Sequence, residues 1–252
     1  RFAEKAIEID DSLAAGHAAL AATLFGSVWD MSGAEREARR AVELNPSSGF
    51  ARSTYANVLL AQARFAEAIE QLRAAQLNDP GTIAPASRLS AAHFLARDYE
   101  RALATVARVQ EVEPGALRSH VAWIHAMSGR PADAIAAFQG LLPSESGKHA
   151  DALRAAASAG DLKTWFRRMG ERGEAIKGAG LSGMPDDAGV PSAINLGWYW
   201  AGAGDADRAF HWLEGAYERR HTHLVFLKVD PRWDPIRSDP RFAAMVARVE
   251  QR

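Results

Sequence analysis

The stretch Phe50–Pro80, FARSTYANVLLAQARFAEAIEQLRAAQLNDP, decides the fold. It reads as two short helices joined by a turn and closed by a proline. Proline ends the second helix because it lacks an N–H and clashes with the preceding turn, and it pushes its own predecessor out of the helical region. Copies of the unit lie on both sides. Pro46, Pro80 and Pro114 stand 34 residues apart, and Ala34, Ala68 and Ala102 keep the same step. Alanine at such a fixed place lets two helix backbones nearly touch, where anything bulkier overpacks at about 1–3 kcal/mol. Small residues and helix-ending prolines returning in phase predict a stack of helix pairs, each packed on its neighbours.

Composition fits that reading and excludes several classes. The chain has 252 residues and is 48% hydrophobic, with a net charge of −1 and no cysteine. A balanced charge gives no overall field favouring nucleic acid or an anionic membrane. Without cysteine there are no disulfides, thiolate nucleophiles or zinc–thiolate sites, which suits a reducing, cytoplasmic compartment. No apolar run approaches the roughly 20 residues of a membrane-spanning helix, so membrane insertion is not expected.

The copies can be followed in order. Residues 1–13, RFAEKAIEIDDSL, match the second half of a repeat, with Ala6 in the place of Ala41 and Ala75; the intact protein is expected to continue upstream of Arg1. Repeats follow at 14–48, 49–82, 83–114 and 115–145. The first is one residue longer than the period, in the turn around Trp29, and Ser32 three residues before Glu35 predicts a capping box for its second helix. Its small residues are Ala21, Ala34 and Ala41, matched by Ala56 and Ala75 in the second copy and Ser90 in the third. The fourth contributes Ala122, Gly129 and Ala134, the last standing 32 residues after Ala102.

After Pro143 the pattern decays. In the degenerate copy at 146–177, Trp165 takes the place of the small crossing residue, and its bulk is expected to push the helices apart. Residues 178–190, GAGLSGMPDDAGV, predict an exposed loop. The pattern restarts at 191–222, and 223–252 is expected to cap the array. There, Asp239 followed by Pro240 starts a final helix over 237–250 that covers the open end of the last repeat.

Residues 14–142 and 190–218 resemble tetratricopeptide repeats, and 146–176 a worn copy; the 34-residue period and the Ala134-x₃-Phe138 spacing are that family's. The resemblance implies an all-α fold, a right-handed α-solenoid of about six helix pairs with a C-terminal capping helix. Two departures stand out: the family's first-helix tryptophan is Arg52 in the second copy, and His221 stands where a proline would close the last. WDMSGAEREARRAVELNP and LVFLKVDPRWDPIRSDPRF further resemble the C-terminal repeat regions of bacterial signalling proteins. In those, the repeats follow a winged-helix regulator, a nucleotide cyclase or a protein kinase, and nothing in these 252 residues belongs to such a module.

In the tetratricopeptide family the first helices line an inner groove that receives ligands. Carried over residue by residue, the groove positions are Phe50, Ser53 and Asn57, then Ser87, Arg88 and Phe94. The fourth copy offers Ser119, His120 and Trp123, the worn copy Arg154, and the last Asn195 and Trp198. Asn57 matches the asparagine that holds peptide backbone or a terminal carboxylate in some relatives, although the lysines of that clamp are missing. Aromatics with arginine and asparagine are the mix expected at a binding hot spot. Phe94, Trp123 and Trp198 carry a second reading as packing between repeats.

Other constellations lead elsewhere. GAGLSG at Gly178–Gly183 spells a dinucleotide fingerprint but lacks the strand before it and the helix after it. Ser144–Lys148 lacks the first glycine of a phosphate loop, with Leu142 in its place. His221 and His223 are two imidazoles without a third metal ligand nearby. His93 and His125, at equivalent first-helix places, read as semi-buried packing. No nucleophile–base pair or cofactor site emerges. The expected function is a non-catalytic module that binds a peptide or protein segment, without cofactor, metal or nucleic acid; the alternative is a regulatory segment of a larger signalling protein.

Overall fold

Short polar side chains start the helices, because the first backbone N–H groups of a helix have no partner inside it. In a computed structural model describing residues 2–78, 82–142, 148–178 and 191–251, Ser48 accepts from the N–H of Ala51 at 3.2 Å and Asp161 from that of Thr164 at 3.0 Å. Asp98, Ser192 and Asp205 do the same for their helices. Pro80, Ser144–Gly147 and all but the first residue of the 178–190 loop lie outside the described residues. Between the helices of a pair the chain turns through one left-handed residue: Ala63 at φ 61°, Arg97 at 63°, Gly129 at 74°, Gly160 at 66° and Gly204 at 73°.

The architecture is an all-α solenoid of helix pairs, with no strand among the described residues. The helices are α1 (Phe2–Ile9), α2 (Ala14–Thr23), α3 (Met31–Leu44), α4 (Gly49–Ala61), α5 (Phe65–Asn78), α6 (Ala84–Leu95) and α7 (Tyr99–Val112). After them come α8 (Arg118–Met127), α9 (Pro131–Gln139), α10 (Lys148–Ser158), α11 (Leu162–Ile176), α12 (Ala193–Gly202), α13 (Ala206–Glu218) and α14 (Pro240–Glu250). None of those described is long and apolar enough to cross a membrane. Packing divides the chain into two units. The first holds Arg1–Leu117, Thr222–Val229 and Arg248–Arg252; the second holds Arg118–His221 and Asp230–Ala247.

In the first unit each helix packs on the next, and the first helices of successive pairs also meet, α2 on α4 and α4 on α6. The crossing residues are alanines: Ala21, Ala34, Ala41, Ala56, Ala68, Ala75 and Ala102 are all 0% exposed. Ser90 takes one such place in α6, fully buried, and its hydroxyl donates to the Ala102 carbonyl at 3.0 Å. At the N-terminal end, α1 packs on α2 and leaves Phe2 and Ile9 exposed.

The extra residue of the first repeat is taken up in a π turn, Leu24–Val28, closed by Trp29 at φ 68°. This corrects the expected start of α3. Ser32 lies inside the helix, and Asp30 is the cap, accepting from the N–H of Gly33 at 2.8 Å. The physical reason is the turn itself: after left-handed Trp29, Asp30 is the residue with the extended backbone a cap requires.

The second unit keeps buried alanines at Ala122, Ala134, Ala209 and Ala216 and adds buried rings. Trp165 is 0% exposed and stacks on Phe138 of α9 at 4.8 Å. Its indole turns towards α9. Trp123, Phe166, Trp198 and Tyr199 continue the cluster, with ring centres 5.2–6.2 Å apart. Two glycines make room. A Cβ at Gly170 would lie 2.6 Å from Trp200, and one at Gly202 would lie 2.5 Å from Phe166.

The tail divides its attachments. Asp239 accepts from the N–H of Arg241 at 2.9 Å, and α14 begins at Pro240, as the Asp–Pro pair suggests, three residues inside the expected 237–250 span. It lies beside α13, where Arg241 donates to Asp207 at 2.7 Å and sits 4.4 Å over the Phe210 ring. A 3₁₀ turn, Pro231–Ile236, packs on α8 and α12. The preceding 3₁₀ turn, Thr222–Phe226, goes elsewhere: it packs on the π turn and on α4, within the first unit.

Candidate functional site

In the first unit the candidate positions read from the sequence fall on two first helices that meet, α4 and α6. Phe50, in the first turn of α4, is 54% exposed, an uncommon state for a large aromatic ring. Asn57, two turns further along α4, is half-buried, and Arg88 on α6 is exposed. Ser53 is buried, while Ser87 is half-buried with its hydroxyl donating to the Ile83 carbonyl at 2.9 Å. Phe94 is 3% exposed and meets Tyr99 at 5.9 Å. Phe94 therefore belongs to the packing side of the two readings, while Phe50 and Arg88 are exposed and Asn57 half-buried.

Arg52 explains one departure from the family pattern. Its Nε donates to the Pro46 carbonyl at 2.6 Å and its guanidinium to Gln71 at 2.7 Å, tying the start of α4 to the linker before it and to α5. The back of the same repeats is joined by charge. Glu35 accepts from Gln62 at 2.9 Å and from Arg64 and Arg39 at 2.7 Å each. Partial burial raises the Glu35 carboxyl, and the hydrogen bonds from Gln62, Arg64 and Arg39 outweigh that and hold it below its usual value. His93 in α6 is 3% exposed, and burial keeps its pKa below 6.5 although the Asp98 carboxylate lies 3.9 Å away. His125 in α8 is lowered by burial too, with Arg130 adding to the effect.

The positions in the second unit are of two kinds. Trp123 and Trp198 are 8% and 5% exposed and belong to the ring cluster. Arg232 lies 3.4 Å over the Trp198 ring while its guanidinium binds the buried Asp230 carboxylate at 2.7–3.0 Å. Burial pushes the Tyr199 hydroxyl, in the same cluster, up to about 12. Ser119 and Arg154 are exposed, Arg154 in an ion pair with Asp151, and His120 and Asn195 are half-buried. This cluster has the burial and ring geometry of a core. Among the described residues no group of three histidine, aspartate or glutamate side chains could hold a metal ion.

One aromatic on the first-unit face escapes a reading of the repeats alone. Phe25, in the π turn, meets Phe226 edge to face at 5.6 Å. The lengthened turn around Trp29 was the one sequence signal pointing there.

No protein-family model matches the chain, and no curated protein does. Among solved structures, the chain is similar to the structure of Naa15/Naa10 bound to HypK-THB, with 15% identity and a TM-score of 0.41 over 93% of this chain and 35% of that one. The chain thus spans about a third of the length of the chain it matches.

Proposed function

We propose that the first-helix face of the N-terminal unit receives a peptide or protein segment, and that the chain acts as a non-catalytic interaction module. One observation carries this reading: Phe50 stands 54% exposed on α4, the helix that also holds half-buried Asn57, and Arg88 is exposed on α6, which packs on α4. An aromatic anchor with an amide on its own helix and a guanidinium on the neighbouring first helix suits an extended segment, whose backbone offers both donors and acceptors. Affinity from a few such anchors falls in the micromolar range, about −8 kcal/mol.

The test is a selection of displayed random peptides on the whole protein, followed by titration of the selected sequences. Asn57→Ala combined with Arg88→Ala weakens them at least about tenfold, or 1.4 kcal/mol, with far-UV circular dichroism unchanged. Equal binding by the double variant would move the site off this face.

A further inference from the structure

We propose that Thr222–Val229, THLVFLKV, is a displaceable internal ligand of the N-terminal repeats. The surface it covers accepts another segment of the same chemistry, a short apolar turn carrying one aromatic ring. The proposal builds on the binding role assigned above to the same first helices. It rests on where this segment lies. Thr222–Phe226 departs from the helix-pair pattern and packs on the π turn that extends α2 and on α4. The Phe226 ring meets Phe25 edge to face at 5.6 Å, and a Cβ at Gly26 would lie 3.7 Å from the Thr222 methyl. Leu224, Val225, Leu227 and Val229 are buried, while Thr222, His223 and Lys228 face outward.

The manner of attachment argues for release. The contact is a five-residue 3₁₀ turn, whose hydrogen-bond geometry is poorer than that of an α-helix. Lys228 and Glu250 form an ion pair at 3.1 Å, but both are more than half exposed, and such pairs contribute little. Apolar contact through Leu224, Val225, Leu227 and Val229 carries much of the anchoring, with Phe226 half-buried. Tethering compensates: an attached segment competes at an effective concentration of the order of millimolar. A free segment of micromolar affinity is then masked until the internal one is weakened.

The absence of native cysteine allows a clean lock. Gly26→Cys with Thr222→Cys places two thiols across this approach, where a Cβ at Gly26 would lie 3.7 Å from the Thr222 methyl. Phe226→Ala is added to loosen the internal segment. The probe is a fluorescein-labelled peptide of residues 221–230 with Phe226 intact, read by polarisation. Reduced triple variant is expected to bind the peptide at least about tenfold more tightly than wild type, and the oxidised form to reject it until reductant is added. Equal binding by the two redox forms, or no binding by a reduced form of native helicity, would overturn the proposal.

Should Phe226→Ala disturb the fold, the double cysteine variant decides the question alone. Excess peptide is expected to slow its oxidation, and an unchanged rate would sink the proposal. Because the probe is the chain's own sequence, failure here leaves the selected-peptide experiment standing. Failure of the Asn57 and Arg88 variants leaves this one standing in turn.

Discussion

The second unit keeps the buried alanines of the first and adds buried rings to them. In the first, helices cross on alanines that are completely buried, so backbone meets backbone through a methyl group. In the second, Ala122, Ala134, Ala209 and Ala216 are buried in the same way, and Trp165, Phe166 and Trp200 lie in addition against glycines or other rings. An alanine crossing tolerates little above its own volume, whereas a ring needs a partner with no Cβ or a flat face to stack on. The period marks the alanine crossings, and its decay after Pro143 coincides with the entry of the Trp165 and Phe166 rings, with the helix pairs retained.

Removing a ring tests the contrast hardest. Trp165→Ala empties a fully buried site and is expected to cost about 3–5 kcal/mol in urea unfolding; a loss below about 1 kcal/mol would show that the ring cluster is not the core of its unit. Adding a methyl comes next. Gly202→Ala forces a Cβ to within 2.5 Å of the Phe166 ring, and the expected loss is about 1–3 kcal/mol. In an open helix the same change would stabilise, since alanine is the better helix former by about 1 kcal/mol. A rise in melting temperature would therefore break the ring-on-glycine account.

The smallest effect separates His93 from His125. Burial lowers both below 6.5, so the native rings are neutral and the unfolded chain takes up protons first. Well above pH 6.5, where the unfolded chain's histidines are also neutral, neither histidine makes stability depend on pH. As pH falls below that value stability declines, and the decline ends below the native pKa values. His93→Gln is expected to flatten the decline more than His125→Gln, because His93 is more deeply buried. Equal slopes in wild type and His93→Gln, from melts across pH 5–8, would show that burial at α6 does not govern the acid side.

Much of the first unit was legible because its signal is local. The residue that must be small at a helix crossing recurs at a fixed step, and Ala34, Ala68 and Ala102 are each 0% exposed. The pattern held into the second unit at Ala122, Ala134, Ala209 and Ala216, all 0% exposed as well. The start of α3 was misread because a cap depends on backbone conformation, which the π turn set at Asp30 instead of Ser32. Of the groove positions, spacing fixed the helix but not the depth. Phe50 and Phe94 both belong to first helices, yet one is exposed and the other meets Tyr99. Nothing within a 34-residue window could announce that Phe226 meets Phe25.

That last pairing has a consequence for birth order. Contacts between neighbouring helix pairs can form as soon as each pair is made, so a solenoid assembles alongside its own synthesis. Phe25 and Phe226 are separated by roughly 200 residues, about 10–40 s of translation at 5–20 residues per second. During that interval the earliest repeats exist without their distant cover, and a nascent chain offers bare what the finished one keeps shut.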